Sequence, residues 1–188
     1  MKRLKAVTAA FLACATLLSL TGCFGFKVID DEDVFYDVLD NAAKIDKDET
    51  RHEKNVTLDG DKVQYYITAS DGDNFYTYIR YKKADDALDR FDDFYEDFED
   101  LKDDGEFEGS STMSYGKTSG SVIFNGELEG NTAIGFCRTN QYFYDDTEIF
   151  GGVYVNANVY IEAYSVNGSK RDKEKITNFL KELKFPKP

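Results

Sequence analysis

Ala84, Ala87, Leu88, Phe91, Phe94, Tyr95, Phe98 and Leu101 recur at three- and four-residue spacing. That stripe specifies an amphipathic helix over 84–104 with one face to bury. Gly105 stands where a left-handed residue closes such a helix. On both sides the pattern changes to period two. The chain must therefore supply a sheet for this helix to cover, and the short Gly-containing turns between its strands favour antiparallel pairing.

The remaining elements follow from the same two periods. Val34, Phe35, Val38, Leu39, Ala42 and Ile45 predict a first helix over 31–45, with Asp31, Glu32 and Asp33 in its first turn, where the helix dipole favours acid. Residues 63–70 and 75–81 read as strands, and Asp59-Gly60 and Asp71-Gly72 as hairpin turns. Residues 121–128, 132–139 and 141–144 are further strands, broken at Asn125-Gly126 and Gly130-Asn131. Val153, Val155, Ala157, Val159, Ile161 and Ala163 alternate with more polar residues, which predicts one long strand with one face inward and one outward. Ser169 and Asp172 suit the start of a last helix, with Ile176, Phe179, Leu180 and Leu183 buried and Pro186 at its end. The expected fold is α+β: an antiparallel sheet with amphipathic helices on one face. A strand group followed by a helix occurs at 63–104 and again at 121–184, an order compatible with a duplicated unit, although no residue-level match between the two supports one.

Composition narrows the function. The 188 residues carry a net charge of −13 and three cysteines. An acidic surface of this kind repels nucleic acid, so no nucleic-acid partner is expected. With 41% hydrophobic residues the chain is no disordered acidic tail. The length suits a single domain.

The N-terminus carries an address. Lys2, Arg3 and Lys5 precede a stretch from Ala6 to Gly22 without a charge, shorter than a spanning helix requires. It closes on Leu20-Thr21-Gly22-Cys23. This ending resembles the lipobox of bacterial lipoproteins. The resemblance implies that residues 1–22 are a signal peptide and that Cys23 becomes the lipid-modified first residue, carrying a diacylglyceryl group. Residues 23–29 would be a short membrane tether and 30–188 a single domain. Phe24 and Phe26 would lie at the bilayer interface or pack on the domain. The implied partners are the lipid bilayer, through Cys23, and an envelope or membrane protein. The implied location is the extracytoplasmic face of the cell membrane.

Candidate chemistry is sparse. His52 is the one histidine, and Cys137 is the one thiol beyond Cys14 and Cys23. A Cys–His pair is formally available, but a buried thiol and a surface imidazole account for both. The clustered His and Cys of a transition-metal site are absent, so no metal or other cofactor is expected. Asp71-Gly72-Asp73-Asn74 fails as a calcium loop because Phe75 stands at a ligand position. Residues 84–104 hold eleven acidic residues against Arg90 and Lys102, a solvated face or a surface for cations. The basic residues Lys170, Arg171, Lys173 and Lys175 would face an anionic bilayer or lie beside the acidic helix and offset its charge. Tyr154, Asn156, Asn158, Tyr160 and Tyr164 share the polar side of the expected long strand, a candidate surface for a sugar or peptide. The leading expectation is a non-catalytic binding or accessory domain. The alternative is an envelope hydrolase working through carboxylates that spacing does not identify.

Overall fold

The computed structural model describes residues 26–137 and 141–188. Helix α1 (Glu32–Val38) is capped by Asp31, whose carboxylate accepts from Asp33 N–H, and it continues as a π-helical turn over Leu39–Ala43. Three strands follow: β1 (Arg51–Leu58), β2 (Asp61–Asp71) and β3 (Asn74–Tyr81). Asp59 and Gly60 both have positive φ, the geometry of a two-residue hairpin turn. Helix α2 (Ala84–Asp103) ends at Gly105, which takes the left-handed conformation. Then come β4 (Phe107–Tyr115), β5 (Ser119–Leu128), the short β6 (Thr132–Ile134) and β7 (Gln141–Phe143), β8 (Thr147–Asn156) and β9 (Val159–Ser165). Helix α3 (Lys170–Glu182) starts where Ser169 Oγ accepts from Asp172 N–H.

Seven strands form one antiparallel sheet in the order β1-β2-β3-β9-β8-β5-β4, and β6 with β7 forms a small separate ribbon. The α+β class and the antiparallel sheet are as the sequence predicts. The placement of the helices is not. Alternate residues of the central strands feed two separate cores. Tyr76, Tyr78, Ile161 and Ala163 point to one, which α1 and α3 cover. Ile79, Tyr81, Tyr160 and Tyr164 point to the other, which α2 covers. The sheet is the middle of three layers, and all seven residues of β9 are buried. The solvent-facing side expected of the long strand does not exist.

The opposite placement of α2 and α3 also argues against a duplicated unit. β3 and β9 are antiparallel neighbours. A twofold axis that exchanges such neighbours runs perpendicular to the sheet and keeps each following helix on the same face. Here the two helices lie on opposite faces.

The expected strand over 153–163 is a hairpin. Ala157 adopts φ 53° at its turn, and β8 pairs back on β9 with Val155 opposite Tyr160 and Tyr154 opposite Ile161. Cross-strand partners share a face. The turn therefore moves Tyr160 and Tyr164 to the α2 side while Tyr154 stays on the α3 side. Asn125 and Gly126 do not break β5, which runs through them. Of the expected strand 132–139, only Thr132–Ile134 is strand; residues 138–140 lie outside the described part.

The start of the domain also shifts. Phe26 and Ile29 are buried in the α1/α3 core, with the Phe26 ring 4.7 Å from Phe185 and 5.8 Å from Tyr154. Residues 26–29 are thus part of the packed domain, not a free tether. Cys23 and Phe24 lie outside the described residues.

Candidate functional site

The most concentrated polar chemistry in the described residues lies under α2, where the loop between β6 and β7 crosses the sheet. Phe136 in that loop stacks on Tyr164 with ring centroids 3.7 Å apart and planes 10° apart, and it also meets Phe94 and Phe124. The loop is seated by aromatic contacts, and the next residue, Cys137, is set over the carboxylate of Glu162. Glu162 Oε1 accepts from Cys137 N–H at 2.8 Å and from the Tyr160 hydroxyl at 2.9 Å. Arg90, projecting from α2, donates from Nε to Cys137 Sγ at 3.1 Å and from Nη2 to the Gly135 carbonyl at 2.6 Å. Glu162 is fully buried, and its Oε2 finds no hydrogen-bond partner.

Electrostatics follow from that enclosure. Burial raises the Glu162 carboxyl above the usual carboxylate range, against the Cys137 N–H, Arg90 and Tyr160 that favour its charge. Burial, then the nearby Glu162, pushes the Cys137 thiol well up. The Tyr160 hydroxyl is raised for the same two reasons. A nucleophilic cysteine needs the reverse, a lowered pKa. The arrangement is a latch: Arg90 and Glu162 hold the β6–β7 excursion by its backbone at Gly135 and Cys137.

His52 is remote from this cluster. It pairs across to Ile67 on the α1 side of the sheet and packs against Tyr36 and Tyr65. Burial and the adjacent Lys54 lower its pKa. His52 and Cys137 are thus on opposite faces, and the fold does not assemble the Cys–His pair that the sequence made available.

The five residues of the candidate Tyr/Asn surface are also separated. Tyr154, Tyr160 and Tyr164 are all buried. Tyr154 donates to the Pro186 carbonyl at 2.7 Å, which ties down the C-terminal tail. Asn156 donates to the Phe26 carbonyl at 2.7 Å and Asn158 to the Tyr81 carbonyl at 2.7 Å. These side chains join segments of the chain and present no common surface. The exposed aromatic pair is elsewhere: Tyr142 and Tyr144, 47% and 75% exposed, meet edge-on at 4.8 Å. Tyr142 lies in the strand that the sequence predicts at 141–144, and Tyr144 directly follows β7.

The acidic helix is solvated over most of its polar side. Asp86 pairs with Lys83 at 3.5 Å, and Tyr115 stacks on Phe91 and meets Tyr95 edge-on. A cleft of about 310 Å³ near its C-terminal end is lined by Asp97, Asp100, Asp104 and Glu106 with Ala133 to Gly135. Burial and Asp93 raise the Asp97 carboxyl. Among the described residues, no three His, Cys, Asp or Glu side chains are grouped to hold a metal ion. The basic residues of α3 do not reach the acidic helix, which lies across the sheet. Lys173 pairs with Glu148 at 3.0 Å, and Lys175 pairs with Asp71.

No described helix is long and apolar enough to cross a membrane. No protein-family model, curated protein or solved structure matches the chain.

Proposed function

We propose that the chain is a lipid-anchored protein of the extracytoplasmic face of the cell membrane, whose domain works by binding an envelope or membrane protein. The observation that carries this reading is the sequence Leu20-Thr21-Gly22-Cys23, set after a basic start and a charge-free run. The packing of Phe26 supports it, because the fold begins three residues after Cys23 and leaves no long stalk. The exposed Tyr142–Tyr144 pair is the contact surface we assign to the partner, since aromatic side chains are enriched at such contacts. The raised thiol of Cys137 and its separation from His52 weigh against nucleophilic catalysis.

Metabolic labelling with a fatty acid tests the anchor. The parent chain incorporates label and stays with the membrane fraction in high salt. Cys23→Ala does neither. Equal labelling of both would sink the reading.

One observation favours the hydrolase alternative, the raised carboxyl of Asp97 in a cleft with Asp100, Asp104 and Glu106. That reading requires turnover of an envelope polymer by the purified protein and its abolition in Asp97→Asn.

A further inference from the structure

We propose that the turn-bearing end of the sheet nearest Phe26 is a docking face for an anionic lipid surface, so that the anchored domain stands on this end with its acidic end held away. The inference rests on the lipid-anchored reading and adds to it an orientation and a lipid class.

Three observations define the face. The chain enters the fold there: Asn156, the last residue of β8, binds the Phe26 carbonyl, and a fully extended chain from Phe26 back to Cys23 spans only about 10 Å. The turns at this end form one continuous surface. Tyr81 N–H donates to Asn158, Ala157 N–H to Thr118 and Lys82 N–H to Lys62, all between 2.8 and 2.9 Å. Exposed lysines crown it, with Lys62, Lys82, Lys83 and Lys117 on or beside the turns and Lys27 and Lys184 flanking the chain entry.

Acids offset part of that charge. Lys83 pairs with Asp86, Asp59, Asp61 and Asp85 stand on the rim, and Asp30 and Glu182 lie beside Lys27 and Lys184 at the chain entry. The other end of the sheet is dominated by acid, including Asp104, Glu106, Glu129, Asp145 and Asp146. Lys170, Arg171, Lys173 and Lys175 of α3 lie at that far end, where Asp71 and Glu148 take Lys175 and Lys173. The expectation that α3 turns Lys170 to Lys175 toward the bilayer is thereby replaced. A negatively charged bilayer repels the acid-dominated end more strongly than the lysine end, whose charges nearly balance, an effect confined to about a Debye length and weakened by salt. Orientation needs only this difference between the ends, so it survives the net negative charge of the whole chain.

The chain contains no tryptophan, so one introduced tryptophan reports its own position. Thr118→Trp marks the lysine end and Asp146→Trp the acidic end. The full lipidated protein is placed in vesicles of brominated phosphatidylcholine, alone or mixed with phosphatidylglycerol. The Thr118→Trp reporter loses fluorescence when phosphatidylglycerol is added, and the Asp146→Trp reporter does not. High salt reverses the loss, and so does replacing Lys62, Lys82, Lys83 and Lys117 by Gln. Equal quenching of both reporters overturns the proposal, as does quenching at Thr118 that ignores phosphatidylglycerol and the lysine replacements. A Cys23→Ala chain bearing the same reporters separates this from the anchor. Phosphatidylglycerol-dependent quenching at Thr118 at low salt upholds the face even if the parent carries no lipid. Its absence in a chain proven to be folded by circular dichroism counts against the face and leaves the anchor standing.

Discussion

The two faces of the sheet bury different things. On the α2 face the polar content is a charged cluster, with Arg90 and Glu162 meeting through Cys137 and Gly135. On the α1/α3 face it includes single tyrosine hydroxyls on backbone carbonyls, Tyr78 on Ile29 at 3.0 Å and Tyr154 on Pro186 at 2.7 Å, and the buried Asn74 amide on Asp172 at 2.9 Å. The first holds an internal excursion of the chain; the second holds the two chain ends. Removing Glu162 from its sealed site leaves two buried donors without an acceptor, whereas a hydroxyl removed from a carbonyl costs one modest bond. The two faces should therefore respond very differently to substitution.

The largest effect belongs to the chain end. A domain begun at Asp30 keeps every helical stripe but loses buried parts of the α1/α3 core. Removing Phe26 and Ile29 strips a buried aromatic and a buried aliphatic side chain and leaves Asn156 and Tyr78 without acceptors. The loss should exceed about 5 kcal/mol, comparable with the whole stability of many domains. Chemical denaturation of chains starting at 26 and at 30 tests it; equal midpoints would show that the α1/α3 face does not depend on the segment.

Glu162 is next. Glu162→Ala should cost about 3–5 kcal/mol, because it empties a fully buried site and leaves the Cys137 N–H and the Tyr160 hydroxyl without their acceptor. Glu162→Gln keeps acceptors for Cys137 and Tyr160 and should cost less. The two differ from the parent in pH dependence as well. The folded state holds the Glu162 proton more tightly than the unfolded chain. Its contribution is therefore complete below the ordinary glutamate pKa of about 4.5 and is lost as pH rises through the raised folded value. The gap between the parent and Glu162→Gln should narrow from pH 4 toward neutrality, read as the difference in Tm. A gap that widens over the same range would mean that Glu162 is held as an anion.

Tyr78→Phe and Tyr154→Phe, on the quieter face, should each cost about 0.5–1.5 kcal/mol and leave the pH profile alone. Ala157→Gly should have the smallest effect and the opposite sign. Ala157 sits at φ 53°, so glycine relieves backbone strain and should stabilise by roughly 0.5–1 kcal/mol, measured as a rise in the denaturation midpoint.

Ala157 also explains where the sequence stopped being legible. Helix α2 was readable from end to end because an eight-residue stripe, an acidic first turn and Gly105 agree. The β8–β9 hairpin was hidden because its turn has no glycine and the period-two pattern keeps its phase through 153–163. The reversal hands the even positions of one strand to the opposite face of the next, which scattered the Tyr/Asn surface. Strands β1 and β4 were missed for another reason. Both are sheet edges, and neither β1 (Arg51–Leu58) nor β4, with its Gly-Ser-Ser centre, carries a strong apolar alternation. The link from Arg90 through Cys137 to Glu162 joins residues far apart in sequence, and nothing local in any of the three segments announces it.

The central claim is the anchor at Cys23, and the mature N-terminus tests it most directly. Mass spectrometry of the protein extracted from membranes should find a first residue Cys23 bearing a diacylglyceryl group, with residues 1–22 gone. A mature chain beginning elsewhere, or a Cys23 that carries an unmodified thiol, would contradict it.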